Sequence, residues 1–166
     1  RDEKGNPMHK SIGNVIWFDE AVEKMGADVM RYLYTSYNPQ FNLKFGYGPA
    51  KEATKDLTVI WNLGNYVKQY CTKPSKLESS DLVAKWIISK RENIKKTITE
   101  NLEKLQPHIA IRELKNYFLE DLSRTYGQMI RNKLDDPEIQ AVLYNSYLEG
   151  LKLLSPFLPF IAEKLY

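Results

Sequence analysis

From Pro49 onward the apolar residues recur at helical spacing along four long runs, and no other feature constrains the fold of this chain as tightly. Projected at about 100° per residue, Leu57, Ile60, Trp61, Gly64, Val67 and Cys71 fall on one side of a helix over 49–71. Val83, Ile87, Ile94, Ile98, Leu102 and Leu105 do the same over 80–105. Ile111, Leu114, Phe118, Leu122, Tyr126 and Met129 form the inward arc of a third helix over 107–132. Asp136-Pro137, a cap and a pre-set first turn, opens a fourth, which carries Ile139, Leu143, Tyr147, Leu151 and Leu154. Such one-sided helices, joined by short links, bury their stripes only against one another, which predicts an antiparallel bundle. The residues expected deepest in it are Trp61, Ile87, Ile94, Phe118, Leu122, Leu143 and Leu151.

The first helix is expected to start at Pro49, after Gly48, and to be closed by Pro74. Ser155-Pro156 interrupts the fourth, and 157–160 leads into a final turn or two ending at Tyr166. Before residue 49 the punctuation changes, with Gly5, Pro7, Gly13, Pro39, Gly46 and Gly48 breaking the chain into short pieces. Here the sequence predicts a brief extended piece over 15–18, a short helix over 21–24 capped by Asp19, and another over 27–34. The reading is a mostly α protein: a small α and irregular segment, 1–48, followed by a helical bundle, 49–166.

A chain of 166 residues, 43% of them apolar, is long enough for one compact core. Folded, it should expose roughly 8,500 Å² against about 28,000 Å² unfolded. The single cysteine, Cys71, builds no disulfide framework and points to a reducing compartment. No apolar run approaches the length of a membrane span. The chain opens on Arg1-Asp2-Glu3-Lys4-Gly5 rather than Met, and reads as part of a longer polypeptide. Twenty-four Lys and Arg against 21 Asp and Glu give +3, a mild basic balance compatible with nucleic acid.

Most familiar chemistry lacks its residues. His9, His108 and Cys71 are too few for a zinc site, and no metal ligand set is assigned. The acidic pairs Asp135-Asp136 and Glu120-Asp121 read as solvated surface, and no glycine-rich phosphate loop of the usual spacing occurs. The eleven tyrosines read mainly as packing residues. One concentrated feature remains, Met8-His9-Lys10-Ser11-Ile12-Gly13-Asn14. Lys10 supplies a mobile ammonium, His9 and Ser11 polar groups, and Gly13 a tight turn, a set suited to neutralising phosphate charge as it develops.

The stretch Pro7-Met8-His9-Lys10-Ser11-Ile12-Gly13-Asn14-Val15-Ile16 resembles the Lys-Met-Ser-Lys-Ser signature and following Gly-Asn of class I aminoacyl-tRNA synthetases. Residues 21–31 look like that family's link between catalytic core and helical domain. Trp86-Ile87-Ile88-Ser89-Lys90, Glu120-Asp121-Leu122-Ser123-Arg124-Thr125-Tyr126 and the run from Ser155 to Glu163 are similar to its isoleucyl branch, in archaeal or eukaryotic form. The sequence departs from the pattern at Pro7, His9, Trp17, Phe18 and Thr125.

The resemblance implies an anticodon-binding bundle behind the end of a catalytic region. It gives Lys10 the role of the second signature lysine, which holds ATP and stabilises the transition state of amino-acid adenylation, with Met8, His9 and Ser11 beside it. The parent enzyme would join isoleucine to tRNA in the cytoplasm using ATP with Mg²⁺. This chain, without the nucleotide-binding fold, would be inactive alone and bind neither tightly. Its partners would be isoleucine tRNA and the rest of the catalytic domain, with no membrane. Arg124 and Arg131, seven residues apart and projecting together, are RNA-contact candidates with Lys133, Lys90 and Arg91. Arg91 lies inside an apolar stripe, so its stem is expected to be buried with the guanidinium reaching water or a carboxylate. Valyl, leucyl or methionyl specificity is the near alternative, because amino-acid choice is made upstream; a nonenzymatic helical RNA-binding or protein-interaction module is the distant one.

Overall fold

The computed structural model describes residues 1–71 and 80–166. Pro74, expected to close the first long helix, lies outside them. A short 3-10 turn, Lys10–Ile12, precedes α1 (Phe18–Met25), α2 (Ala27–Ser36), α3 (Tyr47–Tyr70), α4 (Leu82–Glu103) and α5 (Pro107–Asn116). The chain then continues into a π-helical stretch, Tyr117–Tyr126, and on through α6 (Gly127–Met129), α7 (Pro137–Leu154) and α8 (Pro159–Leu165). The four long helical runs pack as the expected bundle, with α1 and α2 laid across α3. The described residues form no strand.

Local chemistry sets the boundaries. Asp81 caps α4, its Oδ1 accepting from the amides of Val83 at 2.8 Å and Ala84 at 3.0 Å. Asp136 caps α7 by accepting from the Glu138 amide, and Pro137 occupies the first turn, as the sequence predicts. Other starts differ. Tyr47, not Pro49, begins α3, because Gly46 already accepts from the Ala50 amide. The 15–18 piece is not a strand: Phe18 opens α1, and Asp19 sits in its first turn rather than capping it. A carboxylate there still faces the positive end of the helix dipole.

The core is contributed by every long element: Leu57, Ile60 and Val67 from α3, Ile87 and Ile98 from α4, Phe118, Leu122 and Tyr126 from the π-helical stretch, and Leu143 and Leu151 from α7. Val29, Met30 and Leu33 of α2 join the same cluster. Phe118 meets Tyr147 edge-on at 5.9 Å between ring centres. Tyr147 Oη donates to the Ile60 carbonyl, and Tyr117 Oη to that of Ser146, so both buried hydroxyls are satisfied.

Four expectations for the inward face are corrected. Trp61 is 37% exposed, and Leu63 is buried in its place. Ile94 is only partly buried at the edge of the core. Leu105 adopts a left-handed φ of 55° in the turn after α4 and stands 84% exposed. Met129 is exposed while Ile130 is fully buried, because the π-helical stretch advances the inward position by one residue. The chain exposes 10,222 Å², above the area expected from compact-domain scaling, with Ile12, Trp17, Phe18 and Phe41 among the large apolar side chains left outside.

Candidate functional site

The Met8–Asn14 loop is held from within. Asn14 is its tie: Oδ1 accepts from the His9 amide at 2.9 Å, while Nδ2 donates to the Pro7 carbonyl at 2.9 Å and to Asp2 Oδ2 at 3.1 Å. Partial desolvation raises the Asp2 carboxyl, but the Asn6 amide and the Asn14 side chain donate to it and leave it below its ordinary value. The 3-10 turn closes with the Gly13 amide donating to the Lys10 carbonyl, and Gly13 has φ 72°, which an L side chain adopts only at a cost. Met8 packs against the core, whereas His9, Lys10 and Ser11 are exposed. The Lys10 ammonium lies over the Trp17 ring, 4.8 Å from its centre. Sequence reasoning missed Asn14 and Trp17 as loop supports; the signal for Asn14 was its place directly after the Gly13 turn.

The five cations named from the sequence stand in different electrostatic settings. Lys90 on α4 pairs with Asp121 at 3.2 Å and lies over the Trp86 ring. Arg91 has its stem buried, with 12% of the side chain exposed, and its guanidinium on Glu92, as the stripe predicts. Arg124 pairs with Glu120 one turn back on the solvent side of the π-helical stretch. Lys133 reaches Asp81 and fastens the end of the third helical run to the start of α4.

Arg131 stands apart from these pairs. On a straight α-helix it would share a face with Arg124. The π-helical winding instead brings it to the wall formed by Ser123 and Gly127, facing α3, and leaves Arg124 outside that wall. The predicted cations thus form a dispersed set: Lys133 against Asp81, Lys90, Arg91 and Arg124 each on a separate carboxylate, and Arg131 in a cleft.

Residues 84–166 match the family model described as the anticodon-binding domain of tRNA ligase. Over 99% of its length the chain is 37% identical to an isoleucine–tRNA ligase of Methanothrix thermoacetophila. It is 35% identical to that of Pyrococcus furiosus and 36% to that of Methanothermobacter marburgensis, again over 99% of the chain. It spans 17% of the length of each of these relatives.

Proposed function

Since the chain belongs to the anticodon-binding domain family of tRNA ligases, we propose that it is the tRNA-holding part of an isoleucine–tRNA ligase, together with the end of the catalytic region. The observation that carries this reading is the family match over 84–166, the residues that build α4 to α8. In this reading the complete enzyme activates isoleucine with ATP and charges isoleucine tRNA in the cytoplasm. No helix among the described residues is long and apolar enough to cross a membrane.

The signature loop fits a role toward ATP phosphates. Lys10 is exposed and, among the described residues, is held only by the Trp17 ring, so its ammonium can turn to a phosphate, and the Asn14 tie keeps the loop in place beneath it. Met8 anchors the loop from below, and His9 and Ser11 present polar groups beside Lys10. A cation fixed there counts most when charge develops on the departing pyrophosphate. Mg²⁺ would arrive with ATP; among the described residues no group of three or more His, Cys, Asp or Glu converges, and none is assigned to it. Lys90, Arg91, Arg124, Arg131 and Lys133 are the proposed RNA contacts.

Two measurements test the reading. In the full-length ligase, Lys10→Ala should depress isoleucine-dependent ATP–pyrophosphate exchange, while the present chain alone should show none; exchange at the wild-type rate in that variant would remove Lys10 from the mechanism. The present chain should bind isoleucine tRNA more tightly than an anticodon-swapped control, with affinity falling as salt rises. Equal or absent binding of the two RNAs would refute the anticodon role.

A further inference from the structure

Among the described residues, three lysine ammonium groups lie over aromatic rings, and one of them is in a different chemical setting from the other two. Lys24 lies over Tyr47 at 5.4 Å and Lys90 over Trp86 at 5.7 Å, and each also meets a carboxylate, that of Glu20 and that of Asp121. Lys10 lies closest to its ring, 4.8 Å from the centre of Trp17, and its ammonium has no carboxylate or other hydrogen-bond partner among the described residues.

Both ends of this contact are anchored. Lys10 belongs to the 3-10 turn that the Gly13 amide closes and Asn14 ties, so its backbone is held and its side chain alone swings. Trp17 stands where α1 begins, with its carbonyl accepting from the Ala21 amide at 2.9 Å. That helix is fixed in turn, because Ala21 is buried and Glu20 accepts from Tyr47 Oη at 2.7 Å. The Trp17 side chain is nevertheless 55% exposed, so burial does not account for a tryptophan there. Trp17 is also a position where the chain departs from the signature pattern, which makes the contact this chain's own.

A carboxylate in the place of the ring would hold Lys10 as one anion competing with another. An aromatic face carries no net charge and holds an exposed ammonium only modestly, so a triphosphate displaces it. Resting on the reading of Lys10 as a phosphate-binding lysine, we propose that Trp17 is a positioning residue that parks the Lys10 ammonium over its ring until the ATP phosphates draw it off. The contact exists in the free enzyme and is broken before the transition state, so it restrains the reaction with ATP rather than assisting it.

The test uses the full-length ligase in isoleucine-dependent ATP–pyrophosphate exchange. Trp17→Leu should raise kcat/KM for ATP about two- to fivefold, the size of one exposed cation–π contact, and Trp17→Phe should fall between Leu and the native residue. In a Lys10→Ala background Trp17→Leu should have no effect, since the parked group is gone. A tryptophan that merely supported the loop would behave otherwise, its loss lowering kcat/KM in both backgrounds. An unchanged or lowered kcat/KM in Trp17→Leu, or an equal rise in both backgrounds, beside an impaired Lys10→Ala variant, would overturn the parking contact and leave the phosphate role of Lys10 standing. Wild-type exchange by Lys10→Ala would overturn that role and the proposal with it. A second readout is independent of catalysis. In the present chain the Lys10 Cε protons should be shifted upfield by the indole ring current, and Trp17→Leu should return them to the position of an unconstrained lysine; an unshifted signal in the unaltered chain would overturn the proposal.

Discussion

Asp81 does two jobs at once, capping α4 and anchoring Lys133 from the end of the third helical run. The Lys133 ammonium first, then the Ala84 and Val83 amides, hold its carboxyl below the ordinary value of 3.8. A carboxyl whose folded value lies below its unfolded one contributes stability that is fully present above the unfolded value and is lost as the pH falls through the folded one. Thermal unfolding followed between about pH 2 and 6 should therefore show a midpoint that drops on acidification, and Asp81→Asn should lessen that drop while keeping a capping oxygen. An unaltered pH profile would mean that the pair adds nothing. Cys71 is the opposite kind of residue: burial pushes its thiol up to about 11, so near neutral pH it is a packing group with little thiolate.

The long helices were legible in the sequence because their apolar periods are long and their starts carry caps, as Asp81 and Asp136 show. What periodicity does not decide is the flank of a stripe. Trp61 and Leu63 lie about 80° to either side of the centre of the α3 face, so projection alone does not choose between them. The structure buries Leu63 and leaves Trp61 at the rim. The π-helical stretch was also invisible, since its inward residues Phe118, Leu122 and Tyr126 fit an α-helix equally well until Met129 and Ile130 exchange places. Of the site, the loop was legible by resemblance and the cations by charge; their separation was not, because it depends on which helices meet. Packing predictions belong at this scale. Leu122→Ala should cost about 2–5 kcal/mol in denaturant unfolding through lost transfer energy and a cavity, and an unchanged midpoint would contradict the assigned core. At Gly64 an added Cβ would collide with Tyr147 Oη and stand 2.9 Å from a Leu165 methyl. Gly64→Ala should therefore cost about 1–3 kcal/mol by driving α3 from α7, and Tyr147→Phe in that background should recover part of the loss; strict additivity of the two changes would show that they do not meet.

Across the whole molecule, α2 is fastened to the far end of the chain. Arg31 Nε donates to the Phe157 carbonyl at 2.7 Å and its Nη2 to that of Pro156 at 3.0 Å, while Asp28 Oδ2 accepts from the Ile161 amide in the first turn of α8. One helix of the first 48 residues thus supplies both a donor and an acceptor to the corner between α7 and α8. Arg31→Ala should lower global stability by about 1.5–3 kcal/mol and speed hydrogen exchange in α8 above all; exchange unchanged there would show that the corner holds without it. The π-helical stretch has a longer reach than any of these contacts. Core positions along it recur every four residues, at 118, 122, 126 and 130, and the cleft wall follows one residue behind, at 123, 127 and 131. Arg131 therefore owes its direction to the number of residues between it and Phe118 as much as to being arginine. Rewinding that interval to α pitch with its length kept would turn the inward face back to Met129 and swing the guanidinium through about 100°, off the cleft wall, whereas deleting one residue from it would let the rewound helix keep Ile130 inward and Arg131 on the wall.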